Sequence, residues 1–243
     1  MEETTIYTIE AYLNLIKKKQ AEKLHEIKNL ELLFRGQHGD YPLLPKLARL
    51  KPKGELLTTE QQILYEFKRT NPLLIAQHHP LDDWDYLTLG QHFGMPTRLL
   101  DWSKNALTAL WFACDAQNER RDVNDEYCVV WILLATEKDF INETKFIEPF
   151  DVPQTKIVRP RIIKQRINNQ SGVFTVTCSK DLTGQKSMAD LESYKDRLIK
   201  VKIPTGKIEM IKMDLDTLGI NSFSIFPELE GLCSFLQWRY FEA

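Results

Sequence analysis

Three polar groupings in this sequence have the residue types that bind or transform a small molecule. The first is Arg35-Gly36-Gln37-His38, which closes the apolar run "LELLF" with a cation, a residue without a side chain and two further polar groups. A strand end built this way offers charge beside bare backbone, which suits an anionic or polar ligand. The second is Gln91-His92 with Thr97, Arg98, Asp101 and Ser103, and the third is the pair Glu228-x-Glu230. Each lies at the end of an expected strand or the start of an expected helix, where sites are commonly built.

Each grouping also has a purely structural reading. Arg35 either grips a ligand or pairs with an acidic neighbour such as Asp101 to fix a sheet edge, since buried arginines are normally paired. Asp101 and Ser103 are candidates for capping the next helix. Glu228 and Glu230 would fall in the first turn of the last helix, where negative charge offsets the dipole. Dipole compensation accounts for one glutamate more comfortably than for two.

Common catalytic signatures are absent. There is no GxxxxGK[ST] loop, no GxGxxG, no GxSxG and no HExxH. His78-His79 has no cysteine or carboxylate at ligand spacing and reads as a surface pair, so no metal is expected. The run "KIVRPRIIKQR", 156–166, carries five basic residues and no acid. It is an RNA-binding strip or, more simply, a solvated face; the aromatic interleaving that single-strand stacking uses is missing.

The elements that must hold these groups follow from patterning. The first twenty residues read as an amphipathic helix from Ile6, Ile9, Leu13 and Ile16. Thr58 with Gln61 reads as a capping box opening a helix that Pro72 ends near Asn71. "DDWDYLTLGQHFGMP" reads as a helix closed by Gly94, "TRLLDWS" as extended and "KNALTALWFACDA" as a buried helix. "YCVVWILLA", 127–135, is an inner strand, with further strands near 171–176 and 197–203. Pro227 is expected at the first position of a last helix that carries the apolar stripe Leu229, Leu232, Cys233, Leu236 and Tyr240.

With 243 residues, 43% hydrophobic and 27% charged, the chain is an ordinary globular one, expected as a single α+β domain with a mixed or antiparallel sheet flanked by helices. Residues 1–29 form an N-terminal helical segment before the main body, 30–243. A net charge of −2 gives no push toward nucleic acid or an anionic membrane. Four scattered cysteines, no signal-like N-terminus and no apolar run near the roughly 18 residues of a membrane span suit a cytoplasmic protein.

"LLFRGQ", "GQHFGMPTRLLDWSKNALTALWFAC", "SGVFTV" and "IFPELEGL" resemble, in order, the blocks of the FRG domain, named for the Phe-Arg-Gly found here at 34–36. The resemblance spans roughly residues 30 to 240, with Ser103 where the family often has Thr. The order of Arg, Thr/Ser and Glu-x-Glu is in turn similar to that of ADP-ribosyltransferases. That likeness implies NAD as ligand, a macromolecular acceptor and cleavage of the nicotinamide–ribose bond. Membership also implies a setting such as a bacterial toxin or phage-defence effector.

On this resemblance Glu230 would stabilise the oxocarbenium-like sugar and Glu228 would polarise the acceptor. Arg35 and Arg98 would hold ribose or diphosphate oxygens, Gly36 would admit the nicotinamide carboxamide, and Gln37, His92, Thr97 and Asp101 would line the nucleotide. The alternative is a non-catalytic module that binds a nucleotide or a protein through the same residues.

Overall fold

The structure is a computed structural model that describes residues 1–24, 29–70, 80–115, 126–142, 147–161 and 172–242. Its centre is a seven-stranded mixed sheet. The strands are β1 (Glu2–Thr5), β2 (Glu31–Gln37), β3 (Leu99–Ser103), β4 (Tyr127–Ala135), β5 (Lys156–Val158), β6 (Gly172–Val176) and β7 (Leu198–Pro204), in the order β1-β7-β4-β2-β3-β6-β5. Among these described strands β1 runs parallel to its neighbour and the other pairs are antiparallel. The fold is α+β and forms one domain, as the patterning predicts.

Strand β4 occupies 127–135 as its β-branched and aromatic run requires, with eight of its nine residues buried. The pleat sorts its side chains. Val129, Trp131 and Leu133 join Leu33, Trp102 and Leu198 in one core layer, whereas Val130 and Ile132 join Phe34, Ile199 and Val201 in the other.

The second layer is covered by helices α1 (Ile9–Leu24), α5 (Ala106–Cys114) and α7 (Ile208–Thr217), numbered along the chain with α2 (Lys46–Arg49), α3 (Leu56–Thr70), α4 (Asp83–His92) and α6 (Ser179–Thr183). The chain closes with α8 (Ser222–Ile225), α9 (Leu229–Gln237) and a π-helical turn over Trp238–Glu242.

Four details differ from the patterning. Residues 2–5 are a strand at the sheet edge, paired with β7, and Ile6, Ile9 and Tyr12 enter the core that lies on the same sheet. Helix α3 starts at Leu56, ahead of Thr58, because the Glu55 carboxylate accepts from the amides of Leu57 (3.1 Å) and Thr58 (2.7 Å). Asn105, not Ser103 or Asp101, caps α5, accepting from Leu107 and Thr108. Helix α9 begins two residues after Pro227, and its stripe faces outward, with Leu229, Cys233, Leu236 and Tyr240 exposed.

Helix α4 is bounded as expected. Asp82 and Asp85 form a reciprocal capping box at its start, and Gly94, at φ 84°, lies just past Phe93 at its end. Among the described residues no helix is long and apolar enough to cross a membrane.

Candidate functional site

Strand β2 pairs along its whole length with β4 but meets β3 at one registered pair only, Phe34 opposite Ser103. The next residue, Arg35, reaches across this interval. Its Nη1 donates to the Asp101 backbone carbonyl at 2.9 Å and to Asp101 Oδ2 at 2.7 Å. Of the two predicted roles for Arg35, pairing with Asp101 is therefore present. The guanidinium is not exhausted by it: among the described residues Nη2 has no partner, and Nε is buried without one.

The contact continues beyond this pair. Asp101 Oδ1 accepts from Gln91 Nε2 at 3.3 Å, and Gln91 Oε1 accepts from Thr97 Oγ1 at 2.6 Å. The Thr97 hydroxyl also accepts from the Leu99 amide at 3.2 Å. Four side chains from β2, β3, α4 and the α4–β3 turn thus form one polar chain. Gln91, in the last turn of α4, belongs to a grouping singled out by the sequence but had no assigned role there.

Asp101 is the solvent-facing member, with 58% of its side chain exposed, against 14% for Arg35. Surrounding protein works against its ionisation, but the Arg35 charge and the hydrogen bonds from Arg35 and Gln91 outweigh that and hold its carboxyl below the ordinary range. The result is an ionised, reachable carboxylate beside a largely buried guanidinium with donors to spare. Such a pair suits a ligand bearing both hydroxyls and anionic or carbonyl oxygens.

Gly36 is explained by packing. Helix α5 lies so close on β2 that a Cβ here would overlap the Ala109 carbonyl oxygen and sit 2.5 Å from the Ala113 amide nitrogen. Gln37 is buried and its Oε1 accepts from Trp131 Nε1 at 2.8 Å. Both tie the Arg35 strand to its neighbours.

The phosphate-binding role expected of Arg98 is corrected by its burial. Only 1% exposed, it donates to Glu60, itself 2% exposed, from Nε at 2.9 and 3.0 Å and from Nη2 at 2.5 Å. It also stacks 4.9 Å from the Phe150 ring centroid. Thr97 is likewise fully buried and serves the network from within.

His92, half-buried, packs edge-on against Phe93 at 4.9 Å, in the same helical turn as Gln91. Glu228 and Glu230 are exposed and, among the described residues, make no side-chain hydrogen bond or ion pair. Their helix is attached through Phe226, which Gly231 touches and which packs on Trp111 and Phe112. Among the described residues no hydrogen bond or ion pair joins the two glutamates to the Arg35 network.

Of the basic run, residues 156–161 are described. Arg159 pairs with Glu31 at 2.8 Å and Arg161 with Asp82 at 3.1 Å and with Asp85, so neither is a free cation. Residues 162–166 and His78-His79 lie outside the described residues. Among the described residues no group of three or more His, Cys, Asp or Glu is placed to hold a metal ion.

Residues 30–122 match the family model of the FRG domain, so the chain carries an FRG domain over that stretch. The match contains Arg35, Gln91, Thr97 and Asp101 and excludes α9. No curated protein and no solved structure matches the chain.

Proposed function

We propose that this FRG-domain chain binds a nucleotide of the ADP-ribose class against Arg35 and Asp101. The observation that carries this reading is the asymmetry of the pair: an exposed, ionised Asp101 carboxylate held by a mostly buried Arg35 whose Nη2 has no partner among the described residues. A carboxylate of this kind accepts from a ribose diol, and the free guanidinium edge donates to a neighbouring phosphate or carbonyl oxygen. Gln91 and Thr97 act behind them as positioning residues that fix the carboxylate.

The test is equilibrium binding of ADP-ribose, NAD and AMP to the folded chain. Saturable binding that Asp101→Asn weakens at least about tenfold, with melting temperature little changed, agrees with the reading. Equal binding by the wild type and the variant removes it.

Cleavage of NAD is a second reading, and the position of Asp101 favours it. Breaking the ribose C1′–N bond sends its electron pair onto the already cationic nicotinamide, while positive charge grows on the sugar. Water or another acceptor then bonds to C1′ and loses its proton. A fixed carboxylate beside the ribose interacts more strongly as that charge develops. In this version Asp101, within the network, takes the stabilising role that the family resemblance gives to Glu230. Nicotinamide release that falls in Asp101→Asn and persists in Glu230→Gln supports it; loss in Glu230→Gln alone returns the role to Glu230. A toxin or defence setting with a macromolecular acceptor belongs to this second reading and rests on family resemblance alone.

A further inference from the structure

A cavity lies away from Asp101, between the N-terminal half of α4 and the sheet edge at β5. It has a volume of about 600 Å³ and is bounded by Trp84 and Thr88 on α4, by Phe140 and Ile141, and by Ile147 and Val158. This is the size of a small-molecule site. Its apolar walls are unusual in being unfinished. Trp84, Ile141, Ile147 and Val158 pack against the core cluster of Leu87, Leu99 and Phe174, yet each stays partly exposed on the cavity side.

The walls are pinned rather than loose. Trp84 Nε1 donates to the Ile147 carbonyl at 2.9 Å, and the Ile141 amide donates to Ile157 at 2.8 Å.

Two arginines stand at the mouth, and carboxylates hold both in place. Arg159 donates through Nη2 to Glu31 at 2.8 Å and lies 3.7 Å from the Phe140 ring centroid. Arg161 donates through Nε to Asp85 at 3.0 Å and through Nη2 to Asp82 and Asp85. Among the described residues, Arg159 Nε and Nη1 and Arg161 Nη1 have no hydrogen-bond partner. Asp82 and Asp85 are both engaged, in the helix cap and with Arg161. What this site has left to offer is donors at the rim and apolar surface within.

We propose that this cavity is a second ligand site, for a small organic anion with an apolar, preferably flat, body and a carboxylate or phosphate head. The body lies between Trp84, Ile141 and Val158, and the head meets the free edges of Arg159 and Arg161. An ion-paired arginine is a good receptor for such a head, because its fork is already oriented and loses little freedom on binding. The site shares helix α4 with the Arg35 network, but its residues are distinct from it.

The experiment titrates 1-naphthoate and its uncharged analogue 1-naphthamide into the whole chain, followed by calorimetry. The expected result is one saturable naphthoate site, with naphthamide and the Arg159→Met variant each weaker by at least about tenfold, or 1.4 kcal/mol. Ile141→Trp, which fills the cavity, abolishes binding, while Asp101→Asn leaves it unchanged. Because Arg159 is 42% exposed, Arg159→Met tests the head contact without disturbing the core. No saturable naphthoate binding at millimolar concentration, or binding that Arg159→Met and Ile141→Trp both leave intact, overturns the proposal. Loss in Asp101→Asn overturns it as well, by moving the probe to the other site.

Discussion

A single nitrogen of Arg35, Nη1, donates to both the backbone carbonyl and the carboxylate of Asp101, at 2.9 and 2.7 Å. The two residues belong to strands that are in register only at Phe34 and Ser103, so this contact ties β2 to β3 where the ladder ends. The same contact fixes the one exposed carboxylate of the polar chain. Replacing Arg35 with Met should cost about 1 kcal/mol of stability, since an exposed partner limits the value of the pair. It should also abolish ADP-ribose binding. Urea unfolding and calorimetry on one preparation separate the two effects.

Arg98 and Glu60 form the opposite kind of pair, enclosed on both sides. Glu60→Gln or Arg98→Met leaves one charge buried without its partner and should cost about 3–5 kcal/mol. The double variant Arg98→Met with Glu60→Leu should recover much of that loss. A denaturation double-mutant cycle measures the recovery, and additive losses would contradict it.

Gly36→Ala should destabilise the protein by about 3 kcal/mol or more, because the new methyl meets helix backbone rather than a yielding side chain. Gly231→Ala should loosen α9, since its Cβ would overlap the Phe226 carbonyl oxygen. Thermal unfolding reports the first change. Faster amide exchange confined to 222–242 reports the second.

Stability should fall on the acid side of neutrality. Burial works against ionisation of Asp139, but hydrogen bonds from Arg197 and the Thr136 amide outweigh it and hold this carboxyl below its ordinary range. Asp101 is held low by Arg35. A carboxyl whose folded value is depressed stabilises the fold fully above its unfolded value, about 4, and loses that contribution as pH falls through the folded value. Urea midpoints between pH 7 and pH 3 should therefore drop. Asp139→Asn should cost roughly 1–3 kcal/mol at pH 7 and flatten the profile.

Much of this architecture is legible in local patterning. The apolar run of β4, the Gly94 stop and the buried circumference of α5 each predict their element. Strand β1 escapes because Glu-Glu-Thr-Thr has no periodicity of its own and takes its conformation from β7. The role of Arg98 escapes for a related reason. Its partner Glu60 is 38 residues away on α3, and nothing local distinguishes a buried pair from a ligand-facing cation. Asp101 is foreseeable as a partner for Arg35. The link through Gln91 to Thr97 is not, since it depends on how α4 meets β3. The cavity at β5 has no sequence signature, because it is formed where 140–142, 147 and 157–161 come together.

The central claim is that a nucleotide contacts the Arg35–Asp101 pair, and amide and side-chain chemical shifts during an ADP-ribose titration test it most directly. The account predicts saturable shifts at Gly36, Leu100, Asp101 and the Gln91 side-chain amide, absent in Asp101→Asn, with residues 228–232 unmoved. Shifts confined to 228–232, or none at Gly36 and Asp101 at saturating ligand, would contradict it.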